Sequence, residues 1–151
     1  MSAVHESLSP AQRPGSWETF PHGADVGVRG YGADLAEAFA NAAMALTSVI
    51  TDPALIRPVR RVPLSCEADD IEILFLDWLN AIVSTMAIEG LIFGRYEVAI
   101  RDDVLEGVAI GEPLDPGRHQ PVVEVKGATL TELKVAQGGD GRWVAQCIVD
   151  V

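Results

Sequence analysis

The stretch that most constrains the fold runs from residue 69 to residue 88, "DDIEILFLDWLNAIVSTMAI". Its apolar residues recur every three or four positions, which places them on one face of an α-helix. Asp69 with Glu72 suits an N-terminal cap, and Gly90 suits the helix end. The stretch therefore predicts a long amphipathic helix that packs on a sheet. The residues of its apolar face are Ile71, Leu74, Phe75, Trp78, Leu79, Ile82, Val83 and Met86.

A second helix is predicted at residues 34–50, "DLAEAFANAAMALTSVI", where small and apolar residues also follow helical spacing. Asp34 with Glu37 three positions later suits its N-terminal cap. The helix should end at Thr51-Asp52-Pro53, because the residue before a proline avoids the helical region.

Most of the remaining chain has the alternation of apolar and polar residues that is typical of strands. "GGDG" at 138–141 and Asp102-Asp103 predict tight turns. We therefore expect an α+β fold, with two helices packed on a mostly antiparallel or mixed β-sheet in a single domain of residues 16–151. Residues 1–15, rich in Ser and Pro, are expected to form a flexible tail. The predicted strands are 24–31, 59–66, 92–101, 104–110, 121–126, 128–136 and 142–149.

The composition of the chain limits the classes of function that it can have. A chain of 151 residues with 48% hydrophobic content is the size of one domain and too apolar for a disordered protein. Its formal net charge of −11 argues against strong direct binding of nucleic acid and leaves room for a basic protein partner or a cation. Cys66 and Cys147 match no zinc or redox spacing and suit small core positions.

No segment resembles a signal peptide or reaches 18 consecutive apolar residues, so we expect no membrane span and a cytoplasmic protein. The chain also contains no GxxxxGK[ST] loop, no GxGxxG spacing and no GxSxG elbow. Its three histidines, His5, His22 and His119, are too scattered for a convincing zinc site.

A candidate cation site is predicted where the start of one predicted strand and the end of another could meet. Asp25 stands near the start of the alternating stretch "PHGADVGVRGYGA", and the chain finishes "RWVAQCIVDV". If the last strand lies antiparallel to the strand of Asp25, then Asp25, Asp150 and the α-carboxylate of Val151 converge. Carboxylate-rich sites suit hard divalent cations such as calcium, magnesium or manganese. The alternative is an exposed, solvated terminus.

Lys126 lies in "PVVEVKGATL", where Val123 and Val125 face one side of the predicted strand and Glu124 and Lys126 face the other. On spacing alone, Lys126 is either a residue of a solvated strand face or part of a functional surface.

Several stretches, in order, resemble the archease family. "HGADVGVRGYGADLAEAFANAAMALTSVITD" is similar to the family's opening HTAD-(I/V)-G strand and the helix after it, and "DDIEILFLDWLNAIVSTMAIEGLIF" is similar to its long helix with DWLN. "GEPLDPGRH", "VEVKGATLTELKV" and "GRWVAQCIVDV" resemble its central loop, lysine strand and C-terminal strand. The resemblance covers residues 20 to 151.

The resemblance implies a protein cofactor, not itself an enzyme, that activates the GTP-dependent tRNA-splicing RNA ligase. That ligase joins RNA 3′-phosphate or 2′,3′-cyclic phosphate ends to 5′-hydroxyl ends, and archease promotes its guanylylation and multiple turnover. Carried over residue by residue, the family's metal-binding positions fall on Asp25, Asp150 and Val151, and its ligase-activating lysine falls on Lys126. The implied cation is divalent, usually calcium.

The chain departs from the family pattern at Pro21, at Gly23 and at Leu130-Thr131, which bears on contacts near Lys126 more than on the metal ligands. Two other interpretations stay open. The acidic cluster also suits a metal-dependent phosphohydrolase or nuclease, although a general base and a second metal set are not evident. A chaperone-like adaptor that needs no metal is the third interpretation.

Overall fold

The computed structural model describes residues 16–151, so the predicted tail at 1–15 lies outside the described residues. In chain order, the elements are β1 (Trp17–His22), β2 (Asp25–Gly32), α1 (Leu35–Ile50), a short 3-10 helix (Pro53–Leu55), β3 (Arg60–Glu67), α2 (Ile71–Glu89), β4 (Leu91–Arg101), β5 (Val104–Pro113), α3 (Pro116–His119), β6 (Gly127–Ala128), β7 (Lys134–Gln137) and β8 (Trp143–Asp150).

The strands form two antiparallel sheets, which confirms an α+β fold and replaces the one predicted sheet with two. The five-stranded sheet has the order β1-β2-β8-β6, and β7 also pairs with β8. The three-stranded sheet has the order β3-β5-β4. Helix α1 packs on both sheets, through β2 of the first and β4 of the second. Strand β8 is therefore the central strand of the larger sheet, although it comes last in the chain.

Glycines in β2 let α1 lie against that strand at short range. A Cβ atom added at Gly30 would stand 2.2 Å from the Ala42 nitrogen, and one at Gly32 would stand 2.5 Å from the Ala38 nitrogen. The small residues predicted along residues 34–50 face this strand, so both partners of the contact are small.

Helix α2 supplies the core with its predicted apolar face. Trp78 is fully buried, packs against Gly107 and donates from Nε1 to the Phe39 carbonyl at 3.1 Å. Phe39 and Phe75 pack with ring centroids 5.0 Å apart. Of the helices in residues 16–151, α2 alone is long and apolar enough to cross a membrane by length and composition. A core helix passes the same test, and α2 buries one face inside this protein.

The helix ends follow capping rules, with one correction. Asp34 caps α1 by accepting the Glu37 N–H at 2.8 Å, as predicted. The α2 cap is Asp70 rather than Asp69, because Asp70 accepts from both the Glu72 and the Ile73 N–H groups. Gly90 ends α2 with φ of +68°, the left-handed conformation that favours glycine.

Three strand predictions need correction. Strand β1 was not expected, and the predicted strand at 121–126 is wrong because those residues form an irregular segment. Of the predicted strand at 128–136, Ala128 belongs to β6 and 134–136 to β7. Val122 is 76% exposed, so the alternation around it does not mark a half-buried sheet face. The turns predicted at 102–103 and 138–141 are confirmed as hairpin connections.

Candidate metal centre

Asp25 occupies the first position of β2, directly after a hairpin turn. It pairs across the hairpin with His22, the last residue of β1. The two residues between them include Gly23, whose φ of +58° is the left-handed conformation that glycine adopts without strain. The half-buried Asp25 thus stands at one end of the five-stranded sheet.

Strand β8 brings the end of the chain to Asp25. It lies antiparallel to β2, with Val149 opposite Val26. One step further along the register, Asp150 therefore comes opposite Asp25 on the neighbouring strand. Cross-strand neighbours of this kind have Cβ atoms about 4.5–5.5 Å apart. The Val151 N–H points at the Asp25 Oδ1 atom over 3.4 Å, so Val151 belongs to the same group.

Lys126 lies beside the same end of β8. Its N–H donates to the Asp150 carbonyl at 2.7 Å, and the next residue, Gly127, pairs with Asp150 in the sheet. The strand predicted for Lys126 is absent, yet its main chain is hydrogen-bonded to the main chain of Asp150. Asp25, Asp150, Val151 and Lys126 are thus neighbours, although 125 positions separate Asp25 from Asp150.

The chemistry of these groups fits a hard cation. Among the ion pairs of residues 16–151, none involves Asp25 or Asp150, so both carboxylates keep lone pairs available. The same residues contain no group of three or more His, Cys, Asp or Glu able to hold a metal ion. Asp25 and Asp150 are two such side chains, and the third donor predicted from the sequence is the α-carboxylate of Val151.

A second polar cluster was missed by the sequence analysis. His119, which the sequence analysis considered only as a zinc ligand, is fully buried at the end of α3. Its Nε2 lies 2.8 Å from the Glu112 Oε2 atom, and its Nδ1 accepts the Asp115 N–H at 2.9 Å. Glu112 also accepts from the Arg118 guanidinium at 2.5 Å and from the Arg57 N–H at 2.9 Å.

These donors decide the charge of the cluster. The Arg118 hydrogen bond, followed by the Arg57 N–H, lowers the pKa of Glu112 to about 2, against the opposing effect of burial. Glu112 is therefore ionised at neutral pH. The sequence signal was faint: a glutamate at the end of an apolar strand, and Asp115-Pro116, a capping residue with proline at the first helical position.

The cysteines lie apart from both clusters. Cys147 is fully buried on β8, and Cys66 is half-buried on β3, as expected for core positions. Burial raises the pKa of the Cys147 thiol to about 12, so it stays protonated. His5 lies outside the described residues.

Known proteins are similar in sequence to this chain along most of its length. The model of the archease protein family matches residues 17–151. An archease from Pyrococcus furiosus is 39% identical over 139 residues, covering 89% of this chain and 98% of its own length. An archease from Methanopyrus kandleri is 37% identical, with 89% of this chain and 99% of the relative covered.

Solved structures agree. Methanobacterium thermoautotrophicum protein 1598 is 30% identical, with a TM-score of 0.74 over 90% of this chain and 99% of that chain. An archease from Thermotoga maritima, described as a "possible chaperone", shares the fold with a TM-score of 0.60, 89% of this chain and 96% of that chain being covered, at 15% identity. With matching sequence along nearly the whole described fold, the chain belongs to the archease protein family.

Proposed function

We propose that this protein is a non-enzymatic cofactor of a GTP-dependent tRNA-splicing RNA ligase, promoting guanylylation and multiple turnover of the ligase in the cytoplasm. Family membership supports the proposal. The single observation that carries it is the meeting of Asp25, Asp150 and Val151 beside Lys126, because these are the positions at which the family resemblance places metal binding and ligase activation.

In this proposal Asp25, Asp150 and the Val151 carboxylate hold a divalent cation, with calcium as the first candidate. All donors are anionic oxygens, which calcium prefers. The bound cation supplies positive charge that offsets the mutual repulsion of the carboxylates. Lys126 adds a second positive group on the neighbouring segment, so the three carboxylates, the divalent cation and Lys126 together would be close to neutral on a protein of net charge −11.

Two modes of action are consistent with this arrangement. In one, the carboxylates release the cation toward the metal site of the ligase. In the other, the loaded site and Lys126 form contacts that favour the guanylylation-competent form of the ligase. Calcium that is labelled and preloaded on this protein distinguishes them, because only the first mode transfers the label to the ligase during guanylylation.

The decisive experiment measures guanylylation and multiple-turnover ligation by the cognate ligase, with GTP and a divalent metal, in the presence and absence of this protein. Strong stimulation is expected. An active ligase that shows no stimulation would remove the proposed function. Phosphatase or nuclease activity of the protein alone, lost in Asp25→Ala, would instead indicate a hydrolase. Stimulation that survives in both Asp25→Ala and Asp150→Ala would indicate a metal-independent adaptor.

A further inference from the structure

The segment that delivers Lys126 to the sheet has little regular structure of its own. Residues 114–126, called the connector here, join β5 to β6 and contain only the four-residue helix α3. Val122 and Val123 within it are 76% and 39% exposed, whereas Val125, beside Lys126, is 6% exposed and belongs to the hydrophobic core. The exposed residues 120–124 are therefore held mainly by hydrogen bonds to the rest of the protein, and Val125 adds an apolar contact at the end of the segment.

One attachment point is His119, whose two ring nitrogens both form hydrogen bonds. Nδ1 accepts the Asp115 N–H, so the ring proton resides on Nε2, which donates to Glu112. The His119 carbonyl also accepts the Thr51 hydroxyl at 2.5 Å. Glu112 is itself fixed by Arg118 and by the Arg57 N–H. The fully buried His119 thus ties the connector to β5 and to the residues that follow α1.

The connector turns immediately after this anchor and then runs to the metal centre. Gln120 has a φ of +50°, and the Val122 N–H donates to the Ile50 carbonyl at 2.9 Å. Four residues later, the Lys126 N–H reaches the Asp150 carbonyl. The anchor at His119 and the bond at Asp150 therefore bracket the segment that carries Lys126.

We propose that Glu112 and His119 are positioning residues for Lys126: their buried hydrogen-bonded cluster holds the connector so that Lys126 stays beside Asp150. The effect on activation rests on the proposed function of Lys126. The effect on the connector does not, because it concerns only the local stability of residues 120–126. The carboxylates of Asp25 and Asp150 lie on paired strands and do not depend on the anchor.

Hydrogen exchange tests the positioning in the absence of any ligase. In His119→Ala, the imidazole bonds to Asp115 and Glu112 are lost, and the main chain at position 119, whose carbonyl accepts from Thr51, loses its buried anchor. The amides of Val122 and Lys126 should then exchange about tenfold faster or more. The amides of β2 and β8 should keep their rates. His119→Gln retains a donor toward Glu112 and should restore part of the protection, whereas Asn41→Ala, which removes a buried side chain bonded to the Tyr31 carbonyl, should leave the connector unchanged.

A double-mutant cycle tests the consequence for activation. His119→Ala and Lys126→Ala should each lower ligase stimulation, and the double variant should fall no lower than Lys126→Ala, since both changes remove the same contact. Calcium affinity should stay at the wild-type value in His119→Ala. Additive losses, or equal acceleration of exchange in β2 and β8, would show a general structural role and overturn the inference. If the wild-type protein fails to stimulate the ligase, the proposed function fails, and unchanged exchange at Val122 and Lys126 would overturn the positioning separately.

Discussion

Asp150 contributes two groups to the candidate metal centre, one from its main chain and one from its side chain. Its carbonyl oxygen accepts the Lys126 N–H, while its exposed carboxylate stands opposite Asp25. The main-chain bond is independent of the side chain. A substitution at this residue can therefore remove the carboxylate and leave the position of Lys126 unchanged.

Asp150→Ala should weaken calcium binding by about fivefold or more, since one carboxylate at about 4 Å contributes roughly 1–4 kcal/mol of attraction to a charge near a protein surface. Ligase stimulation should fall in parallel, while the free energy of unfolding changes little at this exposed position. Isothermal calorimetry and urea unfolding measure the two quantities. Asp140→Ala, which removes an exposed carboxylate just before β8, is the control for calcium binding and ligase stimulation only, because Asp140 also accepts the Arg142 N–H in its turn. Full activation by Asp150→Ala would contradict the assignment.

Glu112 makes stability depend on pH in a defined direction. Its pKa is lowered from 4.5 to about 2 in the folded protein, chiefly by Arg118, so its stabilising contribution is present above pH 4.5 and is lost as the pH falls toward 2. Urea unfolding across this range should show a shallower loss of stability in Glu112→Gln than in the wild type. Glu124→Gln, at an exposed glutamate of the connector, should keep the wild-type slope. Equal slopes for the wild type and Glu112→Gln would refute the explanation.

For single residues, the sequence predicts neighbours that strand pairing brings together. It misses clusters of side chains that come from several separate segments. The approach of Asp25 to Asp150 required one assumption, an antiparallel pairing of their strands, and that pairing is confirmed. The surroundings of His119 come from Thr51, Arg57 and Glu112, which belong to separate segments. No local periodicity links those positions, so the sequence pattern carries no signal for a buried cluster around His119.

At the scale of elements, apolar periodicity located both long helices because each buries a continuous face. It failed at 121–126, where alternating valines lie along an irregular connector, and it gave no signal for β1, whose burial pattern alternates poorly. The division into two sheets could not be predicted either, since it depends on which strands pair across long separations.

The close contact between α1 and β2 predicts that a larger residue in β2 destabilises the protein. Gly30→Ala places a methyl group 2.2 Å from the Ala42 nitrogen, so helix and strand must separate. The expected loss is about 1–3 kcal/mol of unfolding free energy or more, the usual cost of overpacking. Gly139→Ala in the β7–β8 turn, where an added Cβ meets nothing within 4 Å, should change stability by no more than about 0.5 kcal/mol. Equal unfolding curves for the two variants would contradict this close contact.

The whole molecule carries a net charge of −11, although its proposed contact region includes Lys126 and a cation site. Long-range attraction should therefore guide the protein toward a basic surface of the proposed ligase partner before short-range contacts form. Such guidance depends on ionic strength, because the screening length falls from about 10 Å at 0.1 M salt to about 3 Å at 1 M.

The association rate constant with the ligase should accordingly fall by about tenfold or more between 0.05 M and 0.5 M salt, while the dissociation rate constant changes far less. Stopped-flow fluorescence measures both constants. An association rate that is independent of salt would show that net charge has no part in the encounter.

The place of β8 in the larger sheet also has a consequence for biosynthesis. Strand β8 pairs with β2 on one side and with β6 and β7 on the other, yet residues 143–150 are translated after all of those strands. While the ribosome is still reading the preceding codons, β2 and β7 lack their shared neighbour, and Asp25 lacks Asp150. A chain that lacks residues 143–150 would therefore expose an unpaired edge of β2 to chaperones and proteases, and the larger sheet can close only after β8 has left the ribosome.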